Sequence, residues 1–328
     1  MSDTAARVTQ GDATPADGAP PGPRPAGRWR RVVRGVAVRV VFWYAVVVIV
    51  LGFFQRSLMY FPSRAERIDP AEAGLAAGRV HDVSFVTADG LTLAGWHVVA
   101  EGGSCATLEE CDRTLRDGRL VVLHFHGNGG DRRIRVDDAL IFGGSGADTI
   151  LIDYRGYGEN PGSPSEAGLA DDARAAWNYA TDVRGVRPDR IVLYGESLGG
   201  AVAVRLAAEL CDAGTPPAGV AVLSTFSSMT DAAAHHYPWL PVRLVLLDRY
   251  PAIRHIGRVT CPLLFVHAGN DRIVPIELGR RLFAAAPERS AGGVEKRFVV
   301  LAGCDHNDVL FRARGAYTEA VGEFLGGL

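Results

Sequence analysis

Short apolar runs recur along the chain and alternate with longer stretches of helical character, and this alternation limits the fold more than any other feature. Such near-continuous apolar strands are buried on both faces, because the helices that connect parallel strands cover both sides of the sheet. The sequence therefore predicts an α/β protein with an open, doubly wound and mostly parallel sheet. The runs span residues 91–99, 120–125, 149–154, 190–194, 219–223, 262–267 and 296–301.

An apolar segment near the N-terminus lies outside this pattern. Residues 40–54 carry no charge, and extension back to Val36 gives enough apolar length to cross a bilayer, since Arg39 is near enough to the end to reach the headgroups. We predict a transmembrane helix over residues 36–56. A buried core helix and a cleaved signal peptide are the alternatives; the second is disfavoured because no small-x-small cleavage pattern follows the run.

This anchor divides the chain into four predicted parts. The first residues are rich in Ala, Gly and Pro and bury too little apolar surface to offset their ordering entropy. Arginines cluster before the anchor, which predicts a cytoplasmic N-terminus and a large domain outside the cytoplasm. The parts are a disordered tail (1–27), a basic juxtamembrane segment (28–35), the anchor (36–56) and one α/β domain (57–328).

Composition and charge exclude several classes of protein. With 48% hydrophobic residues the chain is neither wholly disordered nor collagenous. Its 35 basic and 37 acidic residues give a net charge of −2, so the whole chain carries no basic field for nucleic acid. We therefore predict no nucleic-acid partner, and the oligomeric state stays open.

The five cysteines cannot all pair within one chain. Cys105 and Cys111 share a polar insertion, residues 102–118, between two predicted strands. If the domain is exported, these two form a candidate disulfide; otherwise they are free thiols on a surface loop. No cysteine pair has the CxxC spacing of a zinc or redox site.

The segment Gly195-Glu196-Ser197-Leu198-Gly199-Gly200 directly follows a predicted strand and precedes a helical run. A strand, sharp turn and helix around G-x-S-x-G form a nucleophile elbow, in which the serine is exposed at a strained tip and the glycines leave room for close packing. The N-terminus of the following helix directs its dipole and free N–H groups toward that tip. We predict that Ser197 is a catalytic nucleophile.

A serine nucleophile needs a base, and the base needs an acid that fixes its tautomer. Asp271 and His306 each follow a predicted strand, and they come after Ser197 in the order that this arrangement uses. We predict Ser197, Asp271 and His306 as a triad. The competing carboxylates, which follow no strand, are Asp248 and Glu277, and the competing histidines are His235, His236, His255 and His267.

A glycine-rich turn, residues 126–130, follows another strand end. We predict that the backbone N–H groups of Asn128 and Leu198 form an oxyanion hole. His124 and His126 are two residues apart, but no further ligand follows at metal-binding spacing, so no metal site is predicted.

These segments together resemble the α/β-hydrolase superfamily, and more narrowly its membrane-anchored serine hydrolases of the ABHD type, which include lysophospholipase-like and depalmitoylase-like members. The juncture at residues 55–64 is also similar to the post-anchor segment of that group. Asn160 and Ala268 depart from the usual Ser and Gly. The resemblance is carried by residues 126–128, 153–158, 164–166 and 195–200, together with Asp271 and His306.

The resemblance and the residues together imply hydrolysis of esters or thioesters of lipid or acyl substrates through an acyl-Ser197 intermediate, without metal or organic cofactor. A serine aminopeptidase-like peptidase and a non-catalytic membrane-bound scaffold on the same fold remain alternatives. The aromatic and aliphatic stretch 226–247 lies where a cap is usual. It either packs a short helix or forms a wall for an acyl chain.

Overall fold

The computed structural model describes residues 26–328, and side chains from residue 29 onward. The predicted disordered tail falls almost wholly outside this range. The chain divides into two compact units, residues 1–49 and 50–328. The described part of the first unit belongs to a single helix, α1 (Ala26–Met59), which therefore includes the predicted basic segment. By length and composition alone, its stretch Trp29–Met59 could cross a membrane.

The second unit contains one eight-stranded sheet and a separate pair of two-residue strands, β1 and β5. The order across the sheet is β10-β9-β8-β7-β4-β6-β3-β2. Neighbours from β10 to β6 are parallel, whereas β3 is antiparallel to both β6 and β2. The strands are β1 (Phe61–Pro62), β2 (Val80–Val86), β3 (Thr92–Val98), β4 (Val121–Phe125), β5 (Gly129–Gly130), β6 (Asp148–Ile152), β7 (Ile191–Glu196), β8 (Gly219–Leu223), β9 (Leu263–Ala268) and β10 (Arg297–Leu301).

Helices cover both faces of this sheet. Leu169 of α4 and Val202 of α5 belong to one buried cluster, whereas Phe142 of α3 and Tyr317 of α11 belong to another. The predicted doubly wound α/β architecture is confirmed. The helices after α1 are α2 (Leu108–Arg116), α3 (Val136–Gly144), α4 (Glu166–Asn178), α5 (Leu198–Asp212), α6 (Met229–His236), α7 (Val242–Val245), α8 (Ala252–His255), α9 (Ile276–Ala285), α10 (Val309–Arg312) and α11 (Arg314–Gly326).

The predicted strands all occur, and the sequence missed β2, which pairs with β3 in an antiparallel hairpin at the sheet edge. Residue Asn160, where the family pattern has Ser, connects this edge to the centre. Its side chain accepts from Ala94 N (2.7 Å) and donates to the carbonyl of Asp153 (2.7 Å). The side-chain amide of Asn160 thus joins β3 to the loop after β6, and both its oxygen and its nitrogen have hydrogen-bond partners.

The insertion at residues 102–118 is more ordered than a surface loop. It contains α2, whose N-cap Thr107 accepts a hydrogen bond from Glu110 N, and the structure joins Cys105 to Cys111 across a Cα–Cα distance of 5.4 Å. Both cysteines are buried against Val99. The hypothesis of a disulfide within this insertion therefore agrees with the structure.

Alkylation tests this disulfide. In protein denatured without reduction, we expect Cys105 and Cys111 to resist iodoacetamide, because a disulfide has no thiolate, and to react fully after dithiothreitol. Cys304, which is buried but free, is the matched control and reacts under both conditions once the chain is denatured. Mass spectrometry of the peptides measures the labelling. Full labelling of both cysteines before reduction would show that the bond is absent.

Candidate active site

Ser197 lies between the end of β7 and the start of α5, with a backbone φ of +52°. A non-glycine residue in this region is strained and persists only where the surroundings hold it. Here Ser197 N donates to the carbonyl of Leu223 (2.8 Å), and the hydroxyl of Thr225 donates to the carbonyl of Ser197 (2.8 Å). The turn is therefore fixed by the neighbouring strand β8 and the loop after it.

Two glycines allow this sharp turn. A Cβ on Gly195 would clash with the backbone of Gly199, and one on Gly199 would clash with the carbonyl of Phe125 at the end of β4. Helix α5 consequently approaches the sheet more closely than a larger residue at position 195 or 199 would permit. This is the structural context that the sequence predicted for the elbow.

Asp271 follows β9 and His306 follows β10, and the two side chains meet. His306 Nδ1 lies 2.7 Å from Asp271 Oδ2, while Asp271 Oδ1 accepts from the backbone N–H groups of Ile273 (3.0 Å) and Val274 (2.6 Å). A carboxylate in this position accepts from the ring, which is the arrangement in which Nδ1 would carry the proton and Nε2 would be left as the acceptor. This is the tautomer that a general base requires.

Ser197 and His306 line one cleft of about 640 Å³. Each of these residues, like Asp271, is at least nine-tenths buried. The volume is within the range of small-molecule sites. The structure therefore brings the predicted nucleophile and base to one cavity, with the predicted acid directly behind the base. The apolar residues that line the cleft are Phe61, Ile134, Leu223, Ile273, Val309 and Leu310.

The two predicted oxyanion-hole residues are also placed at this cleft or beside it. Leu198 is the first residue of α5, so its N–H has no acceptor within the helix. Asn128 lines the cleft and is held firmly: its side chain donates to the carbonyl of Met59 (2.8 Å), and its carbonyl accepts from Phe61 N (2.8 Å) and the Tyr157 hydroxyl (2.8 Å). Met59 at the end of α1 and Phe61 just after it thus hold this loop in place.

Two of the competing candidates are engaged elsewhere. His267 Nε2 is 2.9 Å from the carbonyl of Val274 and only 3.6 Å from Asp271 Oδ2, a longer contact than that of His306. Asp248 accepts hydrogen bonds from Arg56 and Tyr60. His126 Nδ1 is 2.7 Å from the carbonyl of Gly127, and burial lowers the pKa of this imidazole to about 3. A neutral, buried His126 is a structural residue beneath the turn.

Three charged residues of the cleft were missed as site residues: Arg135, Asp138 and Glu196. Glu196 lies inside the elbow motif, but nothing in its sequence position indicates that it faces a cavity. Of the two alternatives for residues 226–247, packing of a short helix or a wall for an acyl chain, the cleft gives no support to the second, because its described lining contains none of them. Several of their large side chains are instead exposed, Leu244 to 81%.

Comparison with known proteins identifies the family. Residues 121–248 match the family model described as alpha/beta hydrolase fold. The chain is 43% identical over 271 residues to an uncharacterized protein of Mycobacterium tuberculosis, covering 83% of this chain and 87% of that protein. It is 30% identical over 252 residues to the lysophosphatidylserine lipase ABHD12 of Danio rerio, covering 70% of this chain and 64% of the relative. The chain belongs to the α/β-hydrolase superfamily.

Within this superfamily the chain resembles the ABHD-type hydrolases, as expected from its motifs. It spans slightly less than two thirds of the length of the ABHD12 protein. Among solved structures, an esterase of Pyrococcus furiosus superposes with a TM-score of 0.58 at 18% identity, covering 82% of this chain and 98% of that one. This structural likeness confirms the α/β-hydrolase fold.

The carboxylate beside His306 gives a testable consequence. We expect Asp271→Asn to lower kcat for a short ester by roughly 10⁴-fold, because an amide at this position favours the wrong imidazole tautomer. Glu277→Gln is the matched control, since this carboxylate lies in the first turn of α9 and does not line the cleft. Steady-state kinetics measures both variants. A loss of less than tenfold in Asp271→Asn would contradict the predicted role of Asp271.

Proposed function

We propose that this protein is a membrane-anchored serine hydrolase that cleaves carboxylic esters of lipids through an acyl-Ser197 intermediate. The observation that carries the proposal is the 2.7 Å contact between His306 Nδ1 and Asp271 Oδ2 at a cleft shared with a strained Ser197. Such a set of residues activates an otherwise weak hydroxyl nucleophile.

The proposed mechanism follows from this geometry. His306 Nε2 takes the proton of Ser197 Oγ as the hydroxyl attacks the ester carbonyl, and the N–H groups of Leu198 and Asn128 stabilise the resulting oxyanion. The protonated imidazole then gives its proton to the leaving alcohol, which departs and leaves the acyl-enzyme. Water, activated by the same His306, releases the acid. Thioesters would react by the same steps, and neither a metal nor an organic cofactor takes part.

Three observations support a lipid substrate. Six apolar side chains line the cleft and suit an acyl chain. The similar proteins from several vertebrates are named lysophosphatidylserine lipases. The N-terminal helix has the length and composition to hold the enzyme where such lipids occur.

The arginines in the N-terminal part of α1, ahead of its uncharged apolar stretch, support an orientation with the N-terminus in the cytoplasm and the hydrolase domain outside it. The bond between Cys105 and Cys111 favours the same orientation, because disulfides persist in oxidising compartments. Retention of the bond between Cys105 and Cys111 in protein isolated from cells would therefore support a hydrolase domain outside the cytoplasm.

Kinetics of the full-length enzyme test the proposal. We expect Ser197→Ala to lower kcat by roughly 10⁴- to 10⁶-fold, because the nucleophile is lost while the base, the oxyanion donors and the binding cleft remain. Ser145→Ala, at the C-terminal end of α3 and outside the cleft, is the control and retains activity. Near-wild-type esterase activity in Ser197→Ala would refute the mechanism.

Substrate class is measured on the wild-type enzyme with p-nitrophenyl esters of increasing chain length and with aminoacyl anilides. A lipid-ester hydrolase prefers longer acyl chains and leaves the anilides intact. Faster hydrolysis of the anilides would instead indicate a peptidase, and no turnover of either series would indicate a non-catalytic protein.

A further inference from the structure

The cleft has a charged wall that the proposed chemistry does not use. Besides its apolar side chains, it is lined by Arg135, Asp138 and Glu196. Glu196 directly precedes the nucleophile, and Arg135 ends a short 3₁₀ turn, Arg132–Arg135, before α3. Hydrolysis that involves only the acyl chain and the ester carbonyl does not require charged side chains in the cleft. Burying a charged side chain costs free energy unless the charge is paired, so these residues call for an explanation.

Arg135 and Glu196 form an ion pair at this wall. Arg135 Nη1 lies 2.6 Å from Glu196 Oε2, yet the two groups are not aligned as a hydrogen bond. Their side chains are exposed to 15% and 14%, whereas the nearby pair of Arg132 and Asp153 is fully buried. The first pair therefore borders the cavity, and the second belongs to the interior.

Arg135 stays cationic at this position. Burial opposes its charge, but the neighbouring carboxylates of Glu196 and Asp138 hold the pKa of Arg135 above its ordinary value. Asp138 itself is buried, and its Oδ2 is 3.3 Å from His124 Nε2. The accessible charges at the wall are thus one guanidinium and one carboxylate, side by side.

The spacing from the nucleophile suits a phospholipid headgroup. Gly127 separates the two sites: a Cβ there would lie 3.6 Å from Ser197 Cβ and 3.8 Å from Arg135 Nη2. In a 1-acyl glycerophospholipid, six covalent bonds join the ester carbon to the phosphorus, a reach of roughly 7 Å. A phosphate therefore reaches the guanidinium while the ester carbonyl lies at Ser197.

Charge balance decides the kind of headgroup. A purely anionic group that takes Arg135 would leave Glu196 buried without its partner, which is costly. A headgroup with both a phosphate and a primary ammonium replaces the one ion pair by two, because phosphate oxygens accept from Arg135 and the ammonium donates to Glu196. We propose that Arg135 and Glu196 form a headgroup subsite that selects single-chain lipids whose headgroup carries both a phosphate and a primary ammonium. This inference rests on the proposed lipid-ester hydrolysis.

The test compares three 1-oleoyl substrates in mixed micelles with the full-length enzyme: lysophosphatidylethanolamine, lysophosphatidylglycerol and 1-oleoylglycerol. All three carry the same acyl chain. The first has both a phosphate and a primary ammonium, the second has a phosphate only, and the third has neither. We expect the wild type to prefer them in the order given. Lysophosphatidylserine, whose headgroup also carries a phosphate and a primary ammonium, is a fourth substrate, and we expect the wild type to prefer it to lysophosphatidylglycerol.

Substitutions then separate the two roles. Arg135→Gln is expected to lower the ratio of kcat/KM for lysophosphatidylethanolamine over 1-oleoylglycerol by about 30-fold, and Arg135→Lys to lower it less. Glu196→Gln is expected to lower the ratio for lysophosphatidylethanolamine over lysophosphatidylglycerol by about tenfold. Arg133→Gln, in the same turn but outside the cleft, is the matched control and leaves both ratios unchanged.

Selectivity ratios distinguish recognition from structural support. An equal loss on all substrates in Arg135→Gln and Glu196→Gln would mean that the pair only supports the elbow, and unchanged ratios would mean that the headgroup does not reach it; both overturn the inference. If the wild type cleaves 1-oleoylglycerol but no lysophospholipid, the inference fails and the proposed function stands. If it cleaves none of these lipids, the proposed function itself fails.

Discussion

The strained backbone of Ser197 is the constraint on which the rest of the site depends. A positive φ at this residue costs about 1–3 kcal/mol and persists because α5 is packed against the ends of β4 and β7. That packing requires Gly199, whose missing side chain lets the helix reach the carbonyl of Phe125. The same close approach brings the N-terminus of α5 to the cleft, so one backbone turn sets the positions of the proposed nucleophile, Ser197, and of the Leu198 N–H.

A second constraint connects the end of α1 to the glycine-rich turn. The parallel pair of β1 and β5, together with the hydrogen bonds of Asn128 to Met59 and Phe61, attaches this turn to the residues that follow the apolar helix. Phe61 also lines the cleft. The segment that resembles the post-anchor region of related hydrolases therefore has a structural role at the site, beyond connecting a helix to a domain.

The sequence predicted those parts of the protein that depend on neighbouring residues alone. The buried strands follow from continuous apolar runs and the elbow from its glycines, because each needs only nearby residues. The edge strand β2 was missed because its exposed face interrupts the apolar pattern. The pair of Arg135 and Glu196 was missed for a different reason: the two residues are 61 positions apart and meet only when β4 and β7 become neighbours.

The proposed reaction requires Ser197 to be an activated nucleophile. Reaction of the native full-length enzyme with a fluorophosphonate, followed by peptide mass spectrometry, tests it most directly, because an unactivated serine does not react with this probe. We predict one adduct, on Ser197, that is absent when the protein is denatured before labelling. Absence of labelling, or an adduct on a different residue, would contradict it.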